Sequence, residues 1–115
     1  MHELSIALSL IDAAREEAAK HQPAAVRTVH LRLGPLAGVE KEALLFSYGL
    51  AAEGTPLEGS RLIIEDAPVA VFCPVCRDRR PVRSLQSFCC EACGTPATEV
   101  VQGRELEVVA LEIES

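Results

Sequence analysis

Residues 3–21 place Leu4, Leu8, Ile11 and Ala18 at helical spacing, with Glu and Lys opposite. That pattern predicts an amphipathic helix, which Pro23 ends. Residues 25–33 change period. Val29, Leu31 and Leu33 alternate with Thr28, His30 and Arg32, the signature of a half-buried strand whose His30 faces solvent. GPLAG, residues 34–38, reads as a turn. A second helix follows over about 39–53, with Val39, Ala43, Phe46 and Leu50 as its buried face. Gly54, Pro56 and Gly59 punctuate a loop. Residues 61–66 form a second strand, 69–72 extend toward a cysteine-rich segment, and 104–114 form a third strand. The phase of this last strand slips near Val108–Val109, because Leu106 and Val108 are out of step with Leu111 and Ile113. The fold expected is α+β: two helices on a three-stranded sheet built from residues 1–68 and 99–115. Residues 69–98 form a lobe inserted between strands.

Composition narrows the picture. In 115 residues, about half are apolar but only 3 are Phe, 1 is Tyr and none is Trp, so the core must be aliphatic. Aromatic platforms for single-stranded nucleic acid are scarce. With 17 acidic and 11 basic residues the formal charge is −6, which disfavours general phosphate binding. A short basic patch, Arg77, Arg79, Arg80 and Arg83, leaves room for a local anionic contact. The opening MHELSIALSLIDAAREE lacks the basic start and unbroken apolar run of a signal peptide. No apolar stretch approaches the roughly 20 residues that span a bilayer. We expect a soluble, cytoplasmic chain. In that reducing compartment cysteines serve metals more readily than disulfides.

Cys73-Pro-Val-Cys76 is followed by Cys90-Glu-Ala-Cys93. Two such pairs each point two thiolates at one ion, and thiolate softness selects zinc over magnesium or calcium. The intervening segment is too short for a core of its own, which weighs against merely buried or redox-active thiols. Structural zinc at Cys73, Cys76, Cys90 and Cys93 is the expectation. Cys89 is the alternative third ligand. A closed four-cysteine site says little about function, because such sites leave no position open for catalysis.

Met1-His2-Glu3 carries more chemistry. His2 is too large for ready removal of the initiator Met, so the α-amine stays next to it. The amine and the deprotonated His2 amide close a five-membered chelate ring, and the amide and ring Nδ1 a six-membered one. Square-planar nitrogen donors of this kind favour Ni(II) or Cu(II). The competing reading is a surface histidine at a loose terminus. His21, at the end of the first helix, needs no more explanation than a helix-dipole contact.

MHELSIA at the start, LRLGPLAGVEKEAL in the middle and CPVC…CEAC later, in that order over nearly the whole chain, resemble the HypA/HybF hydrogenase maturation factors. The resemblance implies a nickel metallochaperone and not an enzyme. Zinc would be a structural ion in the cysteine lobe, and nickel the cargo of the other domain. It carries nickel binding onto the Met1 backbone amine, the His2 side chain and backbone and the Glu3 backbone. Glu40, in the GVE segment, becomes an extra ligand or an outer partner of the nickel. In its own right Glu40 is a carboxylate in a helix first turn, favoured by the macrodipole. Implied partners are a HypB-type GTPase, the large subunit of nickel–iron hydrogenase and, in some members, urease maturation proteins. No nucleic-acid or membrane partner is expected, and the chain is expected to be a monomer or weak homodimer. Cys89 departs from the simplest family pattern. No Walker lysine motif is present, so nucleotide hydrolysis would fall to the partner. Two rival readings stand beside this one: a zinc-ribbon module for protein or nucleic acid, and a thiol redox enzyme using Cys89 and Cys93.

Overall fold

The computed structural model describes residues 2–21, 25–97 and 99–114. The elements run α1 His2–Ala19, β1 Ala25–Leu33, a short 3-10 helix Pro35–Ala37, α2 Lys41–Ala52, β2 Arg61–Asp66, β3 Ala70–Cys73, β4 Asp78–Ser84, β5 Ser87–Cys90, β6 Val100–Gln102 and β7 Leu106–Glu114. The expected α+β class, with two helices and a three-stranded sheet, is what the chain adopts. That sheet has the order β2-β1-β7, and a second, four-stranded sheet has the order β5-β4-β3-β6. Helix α1 starts one residue earlier than the periodicity indicated. It closes with Lys20 and His21 amides bonding three residues back, at 3.2 and 3.0 Å. The Pro23 stop lies outside the described residues.

The chain forms two compact units. The first takes the described residues of Met1–Arg32, Val39–Glu65 and Glu107–Ser115; the second takes Leu33–Gly38 and Asp66–Leu106. In the first unit, α1 packs on α2 and the core gathers Ala7, Leu10, Ile11 and Ala14 from α1 with Val26, Val29 and Leu31 from β1 and Leu44, Tyr48 and Ala52 from α2. The buried face of α2 is therefore displaced from the expected one. Leu44 is fully buried, whereas Phe46 is 70% exposed and Leu50 50%. On α1, Leu4 and Leu8 are exposed and Ala7, Leu10 and Ala14 take the core positions. Ile11 is in the core as its spacing indicates, while Leu4, Leu8, Phe46 and Leu50 lie outside it.

In β1, Val26 and Thr28 are buried before a change of phase, and Val29, Leu31 and Leu33 after it. Thr28 thus faces inward, against the strict alternation. β7 shows the anticipated slip: Val108, Leu111 and Ile113 are half-buried, with exposed Val109 and Ala110 between the first two. Polar pairs join neighbouring strands: His30, only partly exposed, has its Nε2 2.6 Å from Glu112 Oε2, and Arg32 lies 3.8 Å from Glu65.

The second unit holds strands that the charged, proline-containing sequence conceals. β3 pairs antiparallel with β4 and with β6, and β4 with β5. Pro81, which cannot donate to a ladder, sits where β4 changes partner: Ala70 faces Pro81, and Val82 faces Cys90. The GPLAG segment is more than a turn. The Gly34 amide donates to the Glu105 carbonyl and the Leu36 amide to the Gly103 carbonyl, both at 2.8 Å. A Cβ on Gly34 would lie 2.0 Å from the Gly103 oxygen, so this backbone crossing admits only glycine.

Two substitutions test the placement of the core. Leu44→Ala should cost about 2–5 kcal/mol in chemical denaturation, and Phe46→Ala within about 0.5 kcal/mol of nothing. Equal losses would put the inner stripe of α2 back on Phe46. Gly34→Ala should destabilise the second unit by about 1–3 kcal/mol or more. The readout is faster amide exchange at Leu36 and in β3, with α1 protection retained.

Candidate metal centre

Both cysteine pairs sit in turns that secondary structure holds in place. Cys73 ends β3, and the chain reverses through Pro74–Arg77 into β4 with the Arg77 amide donating to the Cys73 carbonyl at 2.7 Å. Cys90 ends β5, and the Gly94 amide donates to the Cys90 carbonyl at 2.8 Å. Each turn closes on a left-handed residue: Arg77 at φ 56° and Gly94 at φ 79°. Glycine suits this conformation, and Arg77 adopts it at a cost of about 1–2 kcal/mol. The Cys76 amide also donates to Cys73 Sγ at 3.3 Å, so the turn itself aims a hydrogen bond at the sulfur.

The four sulfurs of Cys73, Cys76, Cys90 and Cys93 all lie within 4.8 Å of one another. The measured separations are 3.5 Å for Cys73–Cys93, 3.7 Å for Cys76–Cys93 and 3.9 Å for Cys76–Cys90. Zinc–sulfur bonds of about 2.3 Å at tetrahedral angles require sulfurs about 3.8 Å apart. The donor set therefore fits one tetrahedral ion, and the spacings are far too long for disulfides. Cys73 and Cys90 are fully buried, while Cys93 is exposed.

Cys89 is outside this group of four. Successive residues of a strand point to opposite faces, so with Cys90 turned inward Cys89 turns away, and Ser87 Oγ lies 3.4 Å from its sulfur. The periodicity of β5 carries this distinction, but the sequence of that strand gave no sign of being one.

The thiols differ in acidity. The Thr95 hydroxyl, 3.1 Å from Cys93 Sγ, and the Thr95 amide stabilise the Cys93 thiolate; hydrogen bonds from Cys73 and Cys90 add to this and outweigh burial, lowering its pKa to about 6. At Cys76 the Arg80 guanidinium favours the thiolate. Contacts with the Cys93 sulfur, burial, and contacts with Cys73 and Cys90 together overcome that pull and raise the pKa to about 11. Without a cation, Cys93 is thus the readier thiolate and Cys76 the more reluctant. The basic patch is dispersed around this centre: Arg80 on Cys76, Arg83 against Gly94, and Arg79 donating to Gln102 at 2.8 Å.

A second set of site residues lies at the start of α1. His2 is the first helical residue, 58% exposed, with Nε2 3.3 Å from Glu3 Oε2. The Glu3 side chain is buried. Its Oε2 accepts from the Glu40 amide at 3.2 Å, and this bond is the largest cause of a pKa lowered to about 2. Glu40 is the N-cap of α2, its Oε2 accepting from the Ala43 amide. His2, Glu3 and Glu40 are therefore brought to one corner where both helices begin. Met1 lies outside the described residues. Sequence reasoning missed the Glu3 carboxylate; a glutamate at the second residue of an amphipathic helix gives no signal that it is buried. His21 pairs instead with Glu17 at 3.7 Å, away from this corner along the helix.

Bound zinc should protect the four clustered cysteines from iodoacetamide, and its removal should expose them all as the second unit loosens. Elemental analysis should find one zinc per chain, lost in Cys90→Ala and kept in Cys89→Ala; equal loss in both would overturn the grouping of the four sulfurs.

Comparison with known proteins agrees with the geometry. Residues 1–113 match the model of the family described as HypA, hydrogenase/urease nickel incorporation metallochaperone. The hydrogenase maturation factor HypA of Chloroflexus aurantiacus is 50% identical over 112 residues, covering 97% of this chain and 98% of its own. That of a Roseiflexus species is 48% identical over 114 residues, covering 99% and 93%. The solution structure of the nickel metallochaperone HypA from Helicobacter pylori superposes with a TM-score of 0.69 at 26% identity, covering 97% of each chain. A second HypA solution structure superposes at 0.74, also at 26% identity, covering 99% of this chain and 97% of the other. With a four-cysteine centre able to hold a metal and a match along nearly its full length, this chain belongs to the HypA family of nickel-incorporation metallochaperones that mature hydrogenase.

Proposed function

We propose that this chain captures Ni(II) at its amino terminus and, with a HypB-type GTPase, delivers it to the large subunit of nickel–iron hydrogenase in the cytoplasm. Zinc in the four-cysteine centre is structural, and the chain itself catalyses no reaction. The observation that carries the nickel site is the anchoring of the helix start: a buried Glu3 carboxylate tied to the Glu40 amide, with exposed His2 beside it. The His2 and Glu3 backbone, in the first turn of α1, supplies donors to the metal. The Met1 amine and the His2 imidazole complete the nitrogen donors, which suit square-planar Ni(II). Glu40 acts through its amide, which orients Glu3, and as an additional carboxylate oxygen for the metal. An exposed site at a chain end suits release, because an acceptor can approach the open coordination position. The first unit serves nickel, and the second, which holds the expected cysteine lobe of residues 69–98, serves zinc.

Nickel capture should release protons from the amine and imidazole and weaken on acidification. His2→Ala should abolish specific binding in calorimetry of untagged protein, leaving zinc content and circular dichroism unchanged. One residue added before Met1 should be nearly as damaging, since it displaces the amine while keeping every side chain. Glu3→Gln should weaken binding by roughly 10- to 100-fold, as loss of an orienting partner does. Unchanged affinity in His2→Ala would remove the N-terminal site.

A further inference from the structure

Helix α2 carries an apolar face that the fold leaves uncovered. Residues 42, 45, 46, 49, 50 and 53 recur at spacings of three and one, so they line one side of the helix. All six are exposed. Read along the axis, the stripe is Glu42, Leu45, Phe46, Gly49, Leu50, Glu53: a continuous apolar band closed by a carboxylate at each end. Phe46, at 70% exposure, is the most exposed large hydrophobic residue among those described. Single exposed apolar residues are ordinary on protein surfaces, but a phenylalanine between two leucines on one helix face is a patch. Gly49 in its middle has nothing within 4 Å of where a Cβ would stand, so another backbone can approach there closely. The stripe also accounts for why the periodicity of α2 pointed to the wrong inner face. Two apolar stripes share one helix, and only that of Leu44, Tyr48 and Ala52 packs into the core.

Charge identifies the kind of occupant. The first unit contains 12 of the chain's 17 acidic and 6 of its 11 basic residues, and so carries the whole formal net charge of −6. A second copy of this face would set Glu42 and Glu53 against like charges. We infer that the outer face of α2 is a docking surface for a partner's amphipathic helix, one whose apolar side is flanked by Lys or Arg. Phe46 and the two leucines supply the desolvated centre, Gly49 the close approach, and Glu42 and Glu53 the charge-complementary ends that fix register. Both helices begin at the corner joined by the Glu3–Glu40 bond, so the first turn of the stripe lies at the His2 end of the unit. None of its residues is a nickel donor, so the surface stands whether or not the terminus binds nickel.

The test uses the full zinc-loaded chain without nickel and two labelled helical peptides, one of Leu and Lys and one of Leu and Glu in the same pattern, followed by fluorescence anisotropy. The Leu/Lys peptide should bind and the Leu/Glu peptide should not. Phe46→Asp should weaken binding by about tenfold or more, as loss of an aromatic anchor does, although it adds negative charge. Phe46→Leu should restore most of the affinity. The double variant Glu42→Gln, Glu53→Gln should bind less tightly and with a shallower salt dependence. Unchanged or tighter binding by Phe46→Asp would reduce the attraction to bulk charge and overturn the proposal. So would equal binding of both peptides, or a concentration-dependent dimer of the wild-type chain that Phe46→Asp dissolves, which would make the occupant a second copy.

Discussion

Four sulfurs held within 4.8 Å cannot all be thiolates in the absence of a cation. At an effective dielectric of about 20, each pair of unit charges 4 Å apart repels by about 4 kcal/mol. The acidities record that conflict: Cys93 ionises near 6, and Cys76 is driven to about 11. A divalent ion reverses the sign of the interaction at every sulfur. The rest of the second unit depends on that reversal, because its buried apolar residues number few besides the cysteines themselves: Leu33, Ala67, Val69 and Val71 stand with Cys73 and Cys90. A core this small does not hold four short strands in register by burial alone.

The first unit solves the opposite problem. It has an aliphatic core and no need of a metal to form one, yet it buries a carboxylate at its very start. Glu3 remains ionised because the Glu40 amide is aimed at it, and Glu40 in turn is fixed as the cap of α2. One hydrogen bond thus ties the first turn of α1 to the cap of α2, 37 residues away.

How much of this was legible in advance differs by residue type. The elements of the first unit, the phase slip in β7 and the two Cys-x-x-Cys turns follow from spacing alone. The inner faces of α1 and α2 do not. Spacing marks Leu4, Leu8, Phe46 and Leu50 as core, but Ala7 and Ala14 line the inner side of α1 and Leu44 and Tyr48 that of α2; on α2 two apolar stripes compete and spacing does not say which one packs. β4 was hidden by three arginines and Pro81, which β-propensity counts against a strand. Its pairing is imposed by the turns at either end, not by its own side chains. Glu3 was hidden most completely, since its partner is a backbone amide 37 residues away and leaves no trace in composition.

The chain passes from one unit to the other four times, after Arg32, Gly38, Glu65 and Leu106. Neither unit is a continuous stretch of polypeptide. Residues 66–106 in one piece carry every cysteine, yet they leave behind Leu33–Gly38, whose Gly34 and Leu36 amides bond the Glu105 and Gly103 carbonyls. Cutting the cysteine segment out of the chain would therefore leave those two carbonyls to find other donors.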